Sequence, residues 1–477
     1  MRVIIRMNAI IKKFGAFSAG PIIGACISFI TIPIITGFIS PDEYGRASMF
    51  TLTQTILALV IYLGLDQSYV KYFNEYKEKD VLFFNALVMP LFTSVIIDIL
   101  LFGCREQVSI WLFDTPDENL CIFMLMLYLP FCILERFFML RIRMQERGLL
   151  YSALSILIKI GILVATVILL AFYERSFRSV VYAAVLGEVT GTVVIILVGR
   201  KESDNNELRI DFELQKTLLK YGLPLIPAAI VAWILSSMDK VMIRSICDYN
   251  ELGLYTAALK IVSVLGIVQQ CFATFWSPIA FRWNKESRGI KDFELVGRVL
   301  IVGMSIIFVL IMTFKTVIIK LLSPEYEQAA YIMPFLLLNP VMYTVSEVTV
   351  VGIYFTGKSF TTNIVAICSC ICNLGLNALL IPKWGASGAA IATGISYTLF
   401  FWLRTMISRR IWKKFDIKNY IVYTLVLLLS STINVIIEGW IVTIFNVSLC
   451  LILIIVNLPY IFNLLKGRGL RLWPLKK

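Results

Sequence analysis

The sequence predicts an all-α polytopic membrane protein with about 14 transmembrane helices, arranged as two parallel-repeat six-helix lobes around a central cavity plus a C-terminal helix pair. Three observations predict this fold class: the composition, a series of long apolar runs, and a repeat at one offset. Of the 477 residues, 59% are hydrophobic and only 16% are charged, whereas a soluble protein carries about 25% charged residues. Long apolar runs with charges confined between them indicate an integral membrane protein.

The two halves of the chain repeat short motifs at an offset of 208 residues. Glu43 and Gly45 recur as Glu251 and Gly253, and three further matches lie within one residue of the same offset. Parallel repeats in a polytopic membrane protein usually form two similar bundles that flank a substrate path. The offset therefore favours a transporter with two pseudo-equivalent lobes.

Fourteen apolar runs are each long enough to cross a hydrocarbon core of about 30 Å at a rise of about 1.5 Å per residue. Basic residues precede the first run, and glycine, proline or charged residues separate the others. The predicted segments are, in chain order, 15–38, 46–70, 81–103, 120–140, 150–173, 178–199, 221–244, 252–277, 297–320, 331–355, 360–381, 386–407, 420–438 and 440–464. Only Glu438 and Gly439 separate the last two, which predicts a tight hairpin.

The segments group into four regions. The first six form an N-terminal lobe, 1–200, and the next six form a C-terminal lobe, 221–407. Residues 201–220 mix apolar and charged side chains, which predicts a cytoplasmic interfacial linker between the lobes. The segment 408–477 contains the additional helix pair and a basic tail, and its first residues, 408–419, are predicted to form a short surface helix.

The distribution of lysine and arginine predicts that both termini lie in the cytoplasm. In that orientation the inner loops and tails hold 32 of the 44 basic residues, the outer loops hold eight, and the spans hold four. Basic residues concentrate in the cytoplasmic loops of membrane proteins. The asymmetry also favours an even number of spans, because one missed span would invert every later loop.

About nine ionisable side chains lie inside the predicted spans, where a charge at the bilayer centre costs about 2.5–3.5 kcal/mol. Such side chains usually face a water-filled cavity or a partner of opposite charge. The basic members are predicted to bind substrate in a cationic cavity: Lys159, Lys240, Lys260 and Arg136. The acidic members are predicted to bind a coupling ion or to control gating: Asp66, Asp98, Glu188, Asp239 and Glu347.

A structural role is the alternative for each of these charges. Lys159 and Glu188 lie near the midplane on consecutive segments and could simply pair. Asp239 could pair with Lys260 across adjacent helices. Charged side chains near the span ends could extend to the membrane interface.

Prolines in corresponding segments of the two halves predict bends. Pro21 and Pro33 lie in the first segment, and Pro224 and Pro227 lie in the seventh. Proline removes a helix hydrogen bond and creates a bend. Transporters place their substrate path and moving parts at paired irregular helices, so these four residues are predicted hinges. Proline is also common in membrane helices without such a role.

No catalytic residue, metal site or cofactor is predicted. The chain has no histidine, and its ten cysteines lie mostly within apolar runs, where they act as small packing residues. The sequence shows no soluble basic domain of the kind that would indicate nucleic-acid binding. The outer loops are too short for the catalytic domain of a sugar polymerase or ligase, so the protein is not expected to be an enzyme.

Three stretches carry a family resemblance: TIP at 31–33 followed by SPDEYG at 40–45; YGLPLIP at 221–227 with MDK at 238–240 and ELGLY at 251–255; and KWGASGAAIAT at 383–393. In these stretches and in its span count, the chain resembles the bacterial oligosaccharide-lipid flippases. These proteins export O-antigen and capsule repeat units, and they belong to the multidrug/oligosaccharidyl-lipid/polysaccharide exporter superfamily. Asp239, Lys240 and Lys260 stand in or beside the second stretch.

The resemblance implies a flippase of the bacterial inner (cytoplasmic) membrane that serves lipopolysaccharide or capsule biosynthesis. Its cargo would be an undecaprenyl-pyrophosphate-linked oligosaccharide, moved to the outer leaflet by alternating access. A coupling proton or sodium ion, a polysaccharide polymerase and chain-length proteins would be partners. The alternatives are a peptidoglycan-precursor flippase, a cation-coupled multidrug exporter of the same superfamily and, with less support, a membrane-bound polysaccharide polymerase or ligase.

Overall fold

A computed structural model describes residues 2–199, 209–358 and 360–465, and within these ranges it describes the side chains from 19 to 458 except that of residue 21. Over these residues the chain is helical and contains no strand. By their contacts the described residues form two compact units. The first comprises the residues up to Arg244 together with Asp248–Thr256, and the second comprises Ser245–Cys247 and the residues from Ala257 onward.

Ten helices begin in the first unit. They are α1 Arg2–Phe38, α2 Pro41–Ile61, α3 Leu65–Tyr72, α4 Lys79–Gly103, α5 Arg105–Phe113, α6 Asn119–Met144, α7 Gly148–Phe172, α8 Phe177–Gly199, α9 Phe212–Gly222 and α10 Ile226–Ile246. Local chemistry sets the start of α2, because Pro41 occupies the first helical turn and Ser40 Oγ accepts a hydrogen bond from the Glu43 N–H. Both residue types are favoured at helix N-termini.

Nine further helices follow. They are α11 Tyr249–Lys285, which begins in the first unit, α12 Ile290–Thr313, α13 Lys315–Ile319, α14 Ala329–Leu336, α15 Leu338–Thr349, α16 Val351–Phe355, α17 Phe360–Ile411, α18 Lys418–Ile436 and α19 Trp440–Leu465. The 52-residue α17 consists of two helices joined across a kink at Gly385, whose φ is 52° and ψ is −132°. Glycine adopts this left-handed region without the steric penalty of a Cβ atom.

The structure confirms an all-helical polytopic membrane fold. Within the described ranges, 11 helices are long and apolar enough to cross a membrane, or up to 12 if the bent pair α2 and α3 counts as one span. The predicted segments 360–381 and 386–407 both lie in α17, on either side of its kink. The count of fourteen spans therefore stays a prediction.

Several predicted boundaries are wrong. The segment predicted at 46–70 is broken between α2 and α3, with a bend of 52°. The segment predicted at 297–320 ends at Thr313, and α13 follows as a separate short helix. The surface helix predicted at 408–419 does not form, because α17 ends at Ile411 and residues 412–417 are not helical.

The structure describes only part of the predicted linker 201–220. Residues 201–208 lie outside the described part of the chain, whereas residues 212–222 form α9. The α9 helix runs through a short 3-10 turn at Leu223–Leu225 directly into α10. The lobe boundaries 1–200, 221–407 and 408–477 stay a prediction.

The two motifs that revealed the repeat pack against each other. A Cβ atom on Gly45 would clash with the backbone oxygen of Tyr249, and a Cβ on Gly253 would clash with the backbone oxygen of Pro41. Pro41 and Tyr249 are themselves 208 residues apart. The N-terminal ends of α2 and α11 therefore make the same glycine-to-backbone contact in both directions, as a pseudo-two-fold relation between the two motifs requires.

Candidate functional site

A break in the second predicted span creates the most distinctive feature of the first unit. Leu63 and Gly64 both adopt left-handed backbone conformations, with φ of 52° and 69°. These residues separate α2 from α3. Gly64 packs on the backbone of Gly222, and a Cβ on Gly222 would lie 2.8 Å from the Gly64 carbonyl carbon. The break in the second span thus packs against the C-terminal residue of α9, just before the 3-10 turn that leads into α10.

A cavity of about 370 Å³ lies beside this break. Its polar wall is formed by Thr55, Tyr62, Asp66, Gln67 and Tyr128, and the first turn of α10 contributes apolar side chains. Small-molecule sites typically occupy about 300–1,000 Å³ and combine an apolar lining with a few placed polar groups. The cavity therefore has the size and chemistry of a binding site.

The carboxylate of Asp66, which lines the cavity, is engaged in an ion pair. Arg136 Nη2 of α6 donates a hydrogen bond to Asp66 Oδ2 over 2.7 Å, and Gln67 Nε2 donates to the same oxygen over 2.9 Å. Asp66 is only 6% exposed. The predicted substrate-binding cation Arg136 and the predicted coupling residue Asp66 are therefore partners, and together they carry no net charge.

A second group of charges lies on three neighbouring helices of the same unit. The carboxylates of Glu135 on α6 and Glu188 on α8 interact electrostatically with each other and with Lys159 on α7. Lys159 forms neither an ion pair nor a hydrogen bond with the described residues. Its aliphatic stem faces α1, where a Cβ on Gly24 would lie 3.6 Å from Lys159 Cγ.

Small residues determine how closely these helices approach. A Cβ on Gly187 would lie 2.5 Å from the Ile162 side chain, and one on Gly191 would lie 2.6 Å from the Ile158 side chain. Membrane helices pack closely where small residues line the contact. Because Glu188 follows Gly187 in sequence and Lys159 follows Ile158, this α7–α8 contact brings the two charges near each other.

The remaining predicted site residues occupy different environments. In the first unit Asp239 is 3% exposed and accepts a hydrogen bond from the Tyr255 hydroxyl over 2.6 Å. Asp98 is half-buried, and its Oδ1 has no hydrogen-bond partner among the described residues. In the second unit Glu347 pairs with Arg404 over 2.9 Å.

The other predicted cations and hinges are placed as follows. Lys240 is half-buried on α10, and Lys260 is exposed on α11. Pro33 lies within α1, Pro224 lies in the 3-10 turn after α9, and Pro227 lies in the first turn of α10. The backbone of Pro21 is helical, and its side chain lies outside the described part of the chain.

Sequence reasoning missed some of these partners. Glu135 and Arg404 are not among the site residues that the sequence predicts. The sequence did carry a signal for each, because Glu135 and Arg404 each lie at about the same depth in the membrane as an oppositely charged predicted site residue. The aromatic wall residues Tyr62 and Tyr128 carried no such signal, because tyrosine is common throughout this chain.

The second unit contains a polar cavity of about 240 Å³ near the C-terminal hairpin. Lys315, which lies beyond the end of the spanning helix α12, is 4% exposed and donates a hydrogen bond to the Asn434 carbonyl over 2.6 Å. Burial lowers the pKa of Lys315 to about 8, and the nearby Glu438 carboxylate opposes this shift. Lys320 and Glu327 also line the cavity.

The lowered pKa of Lys315 predicts a stability that increases with pH. Below pH 8 the lysine is charged in both the folded and the unfolded chain, so the cost of burying the charge is fully present. Between about pH 8 and the ordinary value of 10.5 the unfolded chain binds the proton more strongly, and the cost fades. From pH 7.5 to 9.5 we expect wild type to gain about 1 kcal/mol over Lys315→Met, allowing for solvent screening.

Thermal unfolding of the detergent-purified chain across this pH range measures the gain. The control is Lys320→Met, which removes an exposed lysine from the same cavity and retains Lys315, so its pH slope should match wild type. Parallel slopes for wild type and Lys315→Met would show that the lysine is not the titrating group.

Comparisons with known proteins assign the chain to a family. The family described as "Polysaccharide biosynthesis protein" matches residues 10–284, more than half of the chain. A curated relative, the probable low-salt glycan biosynthesis flippase Agl15 of Haloferax volcanii, is 20% identical over 221 residues. That match covers 46% of this chain and 47% of the relative, so the chain spans about half the length of the relative that it matches.

Solved structures share the fold. The Lipid II flippase MurJ in an inward closed conformation has a TM-score of 0.72 at 15% identity, covering 94% of this chain and 98% of that one. An outward-facing multidrug resistance MATE family transporter has a TM-score of 0.55 at 14% identity, covering 84% and 95%. The Vibrio cholerae MATE transporter VcmN has a TM-score of 0.53 at 13% identity, covering 88% and 98%. The chain has the fold of these membrane transporters, and it belongs to the family of polysaccharide biosynthesis proteins.

Proposed function

We propose that the protein is a flippase that moves an undecaprenyl-pyrophosphate-linked oligosaccharide, an O-antigen or capsule repeat unit, across the bacterial inner membrane by alternating access. The observation that carries the proposal is the charge cluster within the spans of the first unit, where Lys159 lies beside Glu135 and Glu188 without a direct ion pair. Membership of a polysaccharide biosynthesis family supports a glycan cargo.

The physical task explains why such a cluster is needed. Moving an unpaired anion into a low-dielectric medium costs tens of kcal/mol by a Born estimate. Lysine and arginine donors in a hydrated cavity offset most of that cost, and they suit the oxygens of a diphosphate. In this proposal Lys159 contacts the diphosphate, while Lys240 and Lys260 contribute to the positive field. The lipid tail stays in the bilayer, so only the head group has to cross.

The acidic residues have a separate role in this proposal. Glu188 interacts with Lys159, and Asp98 has a buried oxygen without a described partner. Protonation of a carboxylate beside a substrate-binding lysine changes the charge that the cargo meets. We therefore assign Glu188 to ion coupling, with Asp98 and Asp239 as further candidates for the proton or sodium site.

An exporter of cationic drugs is less well supported. Such a cavity needs carboxylates that are available to a positive ligand. Two carboxylates of the spans are instead paired with arginine, Asp66 with Arg136 and Glu347 with Arg404. Two others, Glu135 and Glu188, lie near the positive charge of Lys159. A peptidoglycan-precursor flippase remains an alternative that shares the same diphosphate chemistry, and the structural likeness to MurJ concerns the fold alone.

Reconstitution into vesicles tests the proposed function. The full chain is incorporated into liposomes that contain undecaprenyl diphosphate carrying a fluorescent oligosaccharide, and a membrane-impermeant reagent then quenches the outer leaflet. We expect the protein to expose the inner-leaflet pool within minutes, whereas empty vesicles keep about half of the fluorescence.

Two competing cargoes complete the test. A fluorescent Lipid II and a lipophilic cation are compared at the same protein density. Faster movement of the oligosaccharide lipid supports the proposal, and selective transport of the cation or of Lipid II would replace it with the corresponding alternative.

A further inference from the structure

We infer that the cavity beside the break of the second span binds an uncharged sugar of the cargo and thereby helps select which repeat unit is carried. The inference rests on the proposed function and assigns one part of the head group to one part of the site. The observation behind it is charge balance: among the described residues that line the cavity, Asp66 is the one ionic side chain, and its ion pair with Arg136 neutralises it.

The hydrogen-bonding groups of the cavity suit hydroxyl-rich ligands. Both hydrogen bonds that Asp66 receives from described residues end on Oδ2. Its Oδ1 therefore keeps the capacity to accept from a sugar hydroxyl. Gln67 adds an amide oxygen from the next residue of α3. A carboxylate and an amide side by side provide several acceptors in a fixed geometry, which discriminates between epimers of a sugar.

Aromatic side chains form the rest of the recognition surface. Tyr62 and Tyr128 line the cavity, and the hydroxyl of Thr55 accepts a hydrogen bond from the Trp233 indole N–H over 3.0 Å. Aromatic rings offer a flat apolar face together with a polar atom. A sugar ring, with an apolar face and a polar rim, fits that combination.

Other ligand classes fit this cavity poorly. A diphosphate needs cations that are not already paired, and Arg136 is engaged by Asp66. A cationic ligand needs a carboxylate whose charge is not already balanced, and Arg136 balances the charge of Asp66. An acyl or isoprenoid chain would offer no hydrogen-bond donor to Asp66 Oδ1, and it would leave that buried acceptor unsatisfied.

The position of the cavity fits the architecture of the cargo. Glu135 and Arg136 are consecutive residues of α6, so the charge cluster and the ion pair of the cavity lie next to each other. Tyr128 of the cavity wall interacts electrostatically with both Glu135 and Glu188. A ligand whose diphosphate binds at Lys159 would therefore present its first sugars toward the cavity.

Ligand binding by the full-length protein in detergent tests the inference. The probes are soluble ten-carbon polyprenyl diphosphates that carry no sugar, glucose, galactose or N-acetylglucosamine, and native mass spectrometry measures their affinities. We expect wild type to bind at least one sugar-bearing probe more tightly than the bare diphosphate. Gln67→Ala and Tyr128→Phe should each weaken that probe about three- to tenfold, as one neutral hydrogen bond would.

Two control variants separate the sugar from the diphosphate. Lys159→Ala should weaken the bare and the sugar-bearing probes by the same factor. Thr432→Ala changes an exposed residue of α18 whose hydroxyl, among the described residues, donates only to the Leu428 carbonyl of its own helix, and it should leave both affinities unchanged. Gln67 is exposed, so its replacement is compatible with folding.

The outcomes distinguish the inference from the proposed function. If no sugar improves binding, or if Gln67→Ala weakens the bare diphosphate equally, the sugar site is overturned while diphosphate binding still supports a flippase. If wild type binds none of the probes, the proposed function and the sugar site both fail.

Discussion

Replacing Lys159 with alanine is expected to slow transport of the lipid-linked oligosaccharide strongly while leaving the amount of folded protein unchanged. Lys159 is exposed and has no direct ion pair or hydrogen bond with the described residues, so alanine removes its electrostatic interaction with Glu135 and Glu188 without breaking a direct contact. A cation that contacts a diphosphate contributes about 1.5–3 kcal/mol for each charged hydrogen bond. Losing that interaction lowers the transport rate about tenfold to a hundredfold.

The vesicle assay measures this loss, and the second variant Lys159→Arg should retain most of the rate because it preserves the positive charge. The double variant Lys159→Ala with Lys260→Ala should be inactive. Full transport by that double variant would remove both lysines from the proposed site. The matched control is Lys320→Ala, an exposed lysine that lines the other cavity and should transport normally.

Replacing Gly253 with alanine is expected to lower the thermal stability of the protein strongly. The added Cβ would clash with the backbone oxygen of Pro41, and a backbone atom cannot move aside as a flexible side chain does. Overpacking of a well-packed contact typically costs about 1–3 kcal/mol. Gly45→Ala should behave in the same way, because its Cβ would meet the backbone of Tyr249 in the reciprocal contact.

Gly266→Ala is the matched control for this prediction. Gly266 lies in the same helix α11, and a Cβ added there would meet nothing within 4 Å. Alanine has the higher helix propensity, so this variant should be neutral or slightly more stable. Melting curves in detergent that show equal midpoints for Gly253→Ala and Gly266→Ala would mean that the α2–α11 contact is not tight.

Much of the fold follows from local sequence. The apolar runs fix where helices form because each run must satisfy its own backbone hydrogen bonds in a membrane. The predicted segments at 81–103 and 178–199 agree with α4 and α8 to within two residues. The motif repeat at 208 residues also has a structural counterpart in the reciprocal contact of Gly45 and Gly253.

The candidate site was predictable as a set of residue types and not as a set of partners. Depth along each segment identified Lys159 and Glu188 as charges near the midplane. It did not reveal that Arg136 would bind Asp66, 70 residues away, nor that Glu347 would bind Arg404, 57 residues away. The sequence indicates how deep a residue lies in the membrane, but it does not indicate how each helix is rotated about its axis. It therefore does not reveal which residues of equal depth face each other.

The break in the second span shows the same limit. The apolar pattern of 46–70 is continuous and predicts one straight helix, although Gly64 lies within it. The close contact between Gly64 and Gly222, whose positions in the chain are distant, is formed only in the folded unit. A hydropathy profile depends only on residues close together in sequence, so it does not predict such a contact.

The sequence by itself determined that this chain is helical, spans a membrane repeatedly, contains an internal repeat and keeps ionisable groups inside its spans. Tertiary structure alone decided which of those groups neutralise each other, where a helix breaks, and that a cavity with a few polar groups of balanced charge lies beside the break. The physical reason is range: burial and helix formation depend on near neighbours along the chain, whereas charge pairing and cavities depend on the rotation and approach of helices far apart in sequence.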